Sequence, residues 1–182
     1  MTNPPATSAA GSLAARIEAF SDGLGRATSW IALAIVVLMA TNVLLRYAFG
    51  IGSVWSQELE WHLLAPLILF GMTYAERHRE HVRVDILYAR YPPGARLAVD
   101  LVADALGIAL SVLVVVLSWH YVVQAWEIGE GSADPGGLPM RFALKALIPI
   151  GFACFLMQCA AQAVARVHAH RAAPHRGSPH RA

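Results

Sequence analysis

Between Asp104 and Glu127 the chain reads ALGIALSVLVVVLSWHYVVQAW (residues 105–126), 22 residues without Asp, Glu, Lys or Arg. A hydrocarbon core of ~30 Å calls for about 20 apolar residues in helical form, and this run supplies them in full. Two further runs do the same: residues 27–45, 19 residues between Arg26 and Arg46, and residues 146–165, 20 residues between Lys145 and Arg166. A fourth run, residues 61–75, has only 15 between Glu60 and Glu76, which at ~1.5 Å per residue reaches ~22 Å. It crosses only if its helix begins earlier, near Ser56, with Ser56 as N-cap and Glu58 in the first turn favoured by the helix dipole. The fold class expected is therefore an all-α integral membrane protein with four transmembrane helices, at about residues 27–46, 57–75, 105–126 and 146–165.

Composition supports this. The chain is 57% hydrophobic and 14% charged, against about 25% charged in soluble domains, and its mean hydropathy is positive. A soluble core could not hide so much apolar surface. The first run is longer than the 7–15 residues of a signal-peptide core and starts only after Arg26, so it is expected to be retained. Cys154 and Cys159 are the only cysteines. They lie within one span on different sides of it, and support neither a disulfide framework nor a thiolate metal site. No phosphate-cradling glycine loop and no nucleophile motif occurs, so the pattern points to neither an enzyme nor a nucleic-acid binder.

Arginine placement sets the expected topology. With a cytoplasmic N-terminus, eleven arginines fall inside (Arg16, Arg26, Arg77, Arg79, Arg83, Arg90, Arg96, Arg166, Arg171, Arg176 and Arg181), against Arg46, Arg141 and Lys145 outside. The positive-inside rule then places both termini in the cytoplasm. Residues 1–12 read as a disordered leader, residues 13–165 as the four-helix membrane domain, and residues 166–182 as a disordered basic tail containing four histidines. With nothing to fix ligand geometry, the tail is read as a solvated basic segment near an anionic leaflet, not a metal site. Leu13, Ile17, Phe20 and Leu24 recur at helical spacing with Arg16, Glu18, Asp22 and Arg26 on other faces. This suits either a short interfacial helix or a plain extension of the first span. Pro92, Pro93 and Gly94 mark an inner turn, and Asp134 to Pro139 a stiff outer one.

Polar residues at the span edges carry whatever function the chain has, because hydrocarbon makes them costly. At the outer boundary Arg46 ends the first span, while Glu58, Glu60 and His62 open the second. Arg46 is the natural partner of Glu58, either as an ion pair inside the chain or as part of a contact with a second subunit or an external protein. Trp55 and Trp61 suit an aromatic belt. At the inner end of the second span stand His81, Val82, Arg83, Val84 and Asp85. They are either an ordinary juxtamembrane charge cluster or a docking edge for another membrane protein.

The run Asn42, Val43, Leu44, Leu45, Arg46, Tyr47, then Trp55, Ser56, Gln57, Glu58, Leu59, then Phe70, Gly71, Tyr74, Ala75, and finally His81, Val82, Arg83, Val84, Asp85 resembles the small permease (DctQ-like) subunit of tripartite ATP-independent periplasmic (TRAP) transporters. Gly136, Gly137, Leu138, Pro139 and the stretch 145–151 with Pro149 are similar to one branch of that family. Gln57 stands where the family often has an acid. The resemblance implies a multi-pass subunit of the bacterial inner membrane that scaffolds a larger permease in sodium-coupled uptake of an organic acid delivered by a periplasmic solute-binding protein. It also implies that this chain holds no cofactor, sodium being bound in the large subunit. By the same resemblance, Arg46 and Glu58 shape the outer face, and His81, Arg83 and Asp85 fix the inner end against the large subunit. The residues add an independent point: no span holds the glycine-broken half-helices expected where substrate and ions bind.

Two rival classes remain. A b-type haem protein would use His62 and His120, which fall at compatible depth. An autonomous small transporter would need charged pathways, yet the middles of the first, third and fourth spans hold no Asp, Glu, Lys or Arg.

Overall fold

A computed structural model of the chain describes residues 9–78, 88 and 90–172. They form four helices: α1 (Ala9–Phe49), α2 (Val54–His78), α3 (Pro93–Glu127) and α4 (Arg141–Ala172). Stretches of α1, α3 and α4 are long and apolar enough to cross a membrane, and α2 is not among them.

α1 is continuous over 41 residues, a length of roughly 60 Å, about twice the hydrocarbon thickness. The amphipathic segment 13–24 is thus an extension of the first span, not a separate interfacial helix. The reason lies in its polar face. Glu18 and Asp22, one turn apart, meet Arg77 and His78 at the end of α2, at 3.2 Å for Arg77–Glu18 and 3.1 Å for His78–Asp22. These part-exposed charges find partners on the end of α2 and have no need to turn toward headgroups. The helix also begins at Ala9, inside the segment read as leader.

α2 begins at Val54, two residues before the expected cap. Ser56 is not the N-cap: its hydroxyl donates to the Ser53 carbonyl at 3.0 Å, within the first turn. The 25 residues of α2 measure roughly 37 Å, so the shortfall of the uncharged run disappears once the flanking glutamates are counted into the helix. Pro66 in α2 and Pro149 in α4 lie inside helices that continue past them.

α3 opens on Pro93 at the first helical position, where a missing N–H costs nothing. It closes through the left-handed Gly129 (φ 59°), with Gly129 N–H donating to Trp126 O at 3.1 Å and Glu130 N–H to Ala125 O at 2.9 Å, the paired bonds of a Schellman end. α4 runs on through Arg166 to Ala172, so residues 166–172 are helix and not tail. Residues 1–8 and 173–182, with the rest of the expected leader and tail, lie outside the described residues.

α3 and α4 form an antiparallel hairpin, as do α1 and α2, and α4 packs against all three other helices. On α3 the buried side chains Asp104, Ser111, Ser118 and Ala125 repeat every seven residues, a stripe of small groups that lets α4 approach closely. α2 and α4 run parallel. A Cβ built on Gly151 would lie 2.6 Å from the Leu69 Cβ, so glycine is what permits that crossing. The opposite faces of α1 and α3 are left bare: Trp30 is 73% exposed, Leu44 67% and Leu106 66%. Cys154 and Cys159 are free thiols buried in α4.

Candidate functional site

Polar side chains collect at the two ends of this apolar bundle. At the end where α1 stops and α2 starts, Glu58 is 4% exposed and does not meet Arg46. Its carboxylate accepts the Ser132 hydroxyl and, at 2.6 Å, the Leu138 N–H, while the Arg141 guanidinium stands 3.8 Å away. Ser132 and Leu138 belong to the turn between α3 and α4, and Arg141 is the first residue of α4. That turn also binds itself: Ser132 N–H donates to Leu138 O, Arg141 N–H to Glu130 O, and Asp134 N–H to the Ser132 hydroxyl. Lys145 pairs with Glu130 and sits 3.7 Å above the Tyr121 ring. Met140, the residue before α4, has φ 63°, a left-handed conformation costly for a side chain of its size. Glu58 therefore acts as a buried clamp on the turn, a role invisible in sequence because its partners lie 74 and 80 residues away.

Arg46 lies elsewhere on the same end. It is exposed at the last turn of α1 and lines a groove of about 320 Å³ between α1 and α2 with Asn42, Gln57 and Glu60. Asn42 donates to Glu60 at 2.6 Å. His62 pairs through Nδ1 with the Glu58 carbonyl at 2.7 Å, whereas His120 is exposed on α3, so the two histidines of the haem reading do not share an interior face.

At the opposite end Arg166 is the hub, 6% exposed. Its Nη1 donates to the Asp104 carboxylate and to the Asp100 carbonyl at 3.2 Å, and Nη2 donates to Gln162 at 3.3 Å. Carboxylate oxygens of Glu76 and Asp100 each stand 3.9 Å from the guanidinium. Gln162 in turn donates to the carbonyls of Glu76 and Arg77, and Tyr88 donates to Asp100 at 2.9 Å. With Arg77–Glu18 and His78–Asp22, these contacts lock α1, α2, α3 and α4 at one level. Arg166 and its carboxylates were missed as a site in the sequence, although Gln158, Gln162 and Arg166 recur every fourth residue along one face of α4. His81, Arg83 and Asp85, expected at this end, lie outside the described residues.

The arrangement latches the bundle at both ends and leaves its flanks apolar, which suits a fixed body in a membrane better than a moving one. Residues 35–169 match the family model of the tripartite ATP-independent periplasmic transporters, DctQ component. The chain belongs to the DctQ family of TRAP small permease subunits. Among similar DctQ proteins, the ectoine TRAP transporter small permease protein TeaB of Halomonas elongata is 30% identical over 122 residues, covering 64% of this chain and 62% of TeaB. The C4-dicarboxylate TRAP transporter small permease protein DctQ of Vibrio cholerae is 29% identical over 140 residues, covering 66% of this chain and 60% of that protein. The match thus spans about three-fifths of each relative's length. A DctQ component is a membrane-embedded transporter subunit and not an enzyme.

Proposed function

We propose that this chain is the rigid scaffold of a TRAP transporter, crossing the bacterial inner membrane four times with both termini in the cytoplasm. It enlarges the static part of a large permease that carries out sodium-coupled uptake of an organic acid delivered by a periplasmic solute-binding protein. The observation that carries this reading is the pairing of bare apolar flanks on α1 and α3 with ion-paired ends that fix the four helices. Such a body offers partner surface and resists deformation.

The topology is supported by the arginine count and by the 25-residue length of α2. The described helices run without the breaks that line substrate and ion sites in transporters, which favours placing sodium and substrate in the partner, with no cofactor in this chain. The two relatives are named for ectoine and for C4-dicarboxylates at nearly equal identity to this chain. Likeness to them therefore does not choose between these two substrate classes for this chain. In this reading the turn held by Glu58, with Arg46 at the rim, shapes the face turned to the binding protein. His81, Arg83 and Asp85 fix the inner end against the large subunit.

The test is affinity purification of the chain from its native membrane in mild detergent, with mass spectrometry of what accompanies it. A much larger polytopic permease in about equal amount is the expected result. Recovery of the small chain alone, under conditions that preserve other membrane complexes, would overturn the scaffold reading.

A further inference from the structure

The bare flanks of the bundle differ in what they ask of their surroundings. Along α3 the exposed side chains Val102, Leu106, Leu110, Leu113 and Leu117 are aliphatic, and hydrocarbon satisfies them in full. The side of α1 that carries Trp30, Leu33 and Val37 is of the same kind, since the Thr41 hydroxyl beside them donates to the Val37 carbonyl at 2.7 Å. Another side of α1 is not. Its groove against α2 is lined by Asn42, Gln57 and Glu60 together with Met39 and Val43. Asn42 donates to the Glu60 carboxylate at 2.6 Å, which puts Glu60 level with position 42, about 6 Å further into the span than Arg46 at ~1.5 Å per residue. The uncharged run 27–45 is 19 residues long, about 28 Å of helix against a hydrocarbon core of ~30 Å. All of that run is needed to cross, so position 42 and Glu60 beside it lie within the apolar layer. Glu60 is part-buried and has no ion pair among the described residues, and the side-chain amide of Gln57 has no hydrogen-bond partner among them.

A carboxylate at that depth is costly against lipid, and ionisable residues inside spans face protein and pair with it. The asymmetry therefore selects a flank. We infer that the groove between α1 and α2, and not the bare face of α3, is where a transmembrane helix of the large permease packs, setting a Lys or Arg side chain against Glu60 with Gln57 as a second polar contact. The inference rests on the scaffold reading and adds to it the contact flank and the charge expected across it. The groove, about 320 Å³, is too small for a helix ~10–12 Å across, so the partner helix lies over it and sends side chains in. An ion pair formed away from water is favourable only when further hydrogen bonds hold its members in good geometry. Asn42 already supplies one such bond and fixes the carboxylate before the partner arrives. The α3 face, with nothing to satisfy, is left to lipid.

The experiment co-expresses the full-length chain with its large permease and places the photo-crosslinking amino acid p-benzoylphenylalanine by turns at Val43, in the groove, and at Leu110, on α3. In intact membranes Val43 is expected to capture the permease with several-fold the yield of Leu110. Should the added rings at Val43 block assembly, Met39 in the same groove carries the label. Capture from Leu110 equal to or above that from the groove, in membranes from which affinity purification recovers the permease, would overturn the inference and leave the scaffold reading standing. Absence of the permease from the purification itself would remove the scaffold reading, and the inference with it. The charge is tested by Glu60→Gln, which still accepts the Asn42 hydrogen bond. Its affinity for the permease in detergent should fall about tenfold, the size of one hydrogen bond to a charged group, while the isolated chain melts at the wild-type temperature. Undiminished affinity would refute a basic partner at Glu60. A matching fall in the melting temperature of the isolated chain would refute it too, by showing that the carboxylate acts inside the chain.

Discussion

Arg166 on α4 and Asp104 on α3, 62 residues apart in sequence, form a hydrogen-bonded ion pair buried on both sides. The pair closes the α3–α4 hairpin at the end opposite the clamped turn. Removing one partner of such a pair costs about 3–5 kcal/mol, because the remaining charge stays buried. Arg166→Met should therefore lower the melting temperature in detergent sharply. Asp104→Leu added to it should restore part of the loss, with a coupling of roughly 0.5–3 kcal/mol as found for contacting residues. Rescue stays incomplete because Glu76 and Asp100 also face the guanidinium. A melting temperature unchanged in Arg166→Met would show that the pair holds nothing.

At the other end, Glu58 holds the turn through Leu138 N–H and the Ser132 hydroxyl. Glu58→Ala should raise the hydrogen-exchange rate of the Leu138 amide by roughly ten- to a hundredfold, the loss of one hydrogen bond to a charged acceptor. Glu58→Gln, still an acceptor, should raise it less. The exchange Arg46→Glu with Glu58→Arg should not rescue the turn, since Arg141 and not Arg46 stands beside the carboxylate. Protection of Leu138 recovered in that double variant would refute the clamp.

The sequence made some of this legible and some not, for physical reasons. The runs 105–126 and 146–165 announce α3 and α4 because length and absence of charge are local properties, and the Asp134–Pro139 turn was visible in its Pro and Gly. The partner of Glu58 is not visible, because it comes from the turn between two other helices, 80 residues on. By sequence Arg166 falls at the start of the tail because the composition changes there. Its burial depends on Asp104 arriving at the same depth on α3, which only the hairpin provides. Likewise the periodicity of residues 13–24 gives a helix with a polar face, but whether that face meets headgroups or the end of α2 is decided by Arg77 and His78.

The α2–α4 crossing rests on Gly151, whose added Cβ would come within 2.6 Å of the Leu69 Cβ. Both atoms are close to backbone, so neither can swing away and the helices must part. Gly151→Ala should cost about 1–3 kcal/mol, the range for overpacking a filled core, read as a fall in the detergent melting temperature. Leu69→Ala in the same chain should recover little of it, because alanine keeps the Cβ that stands 2.6 Å away, whereas Leu69→Gly should recover more. No loss in Gly151→Ala would mean that the helices separate without penalty.

Met140 offers a way to separate stability from partner binding. Its backbone is left-handed, with φ 63°, and its side chain is 58% exposed beside Pro139 where the clamped turn joins α4. A residue other than glycine gives up about 1–2 kcal/mol in that conformation, and glycine recovers most of this less its own entropy on folding. Met140→Gly should thus leave the isolated chain as stable as the wild type or slightly more so. An exposed methionine at the end of the clamped turn is open to contact from outside the chain. If the proposed solute-binding protein docks here, its recovery with the chain should fall in Met140→Gly while the melting temperature does not. If recovery and melting temperature both stay at wild-type level, this end of the turn is not a contact, and the docking face lies elsewhere on the outer end.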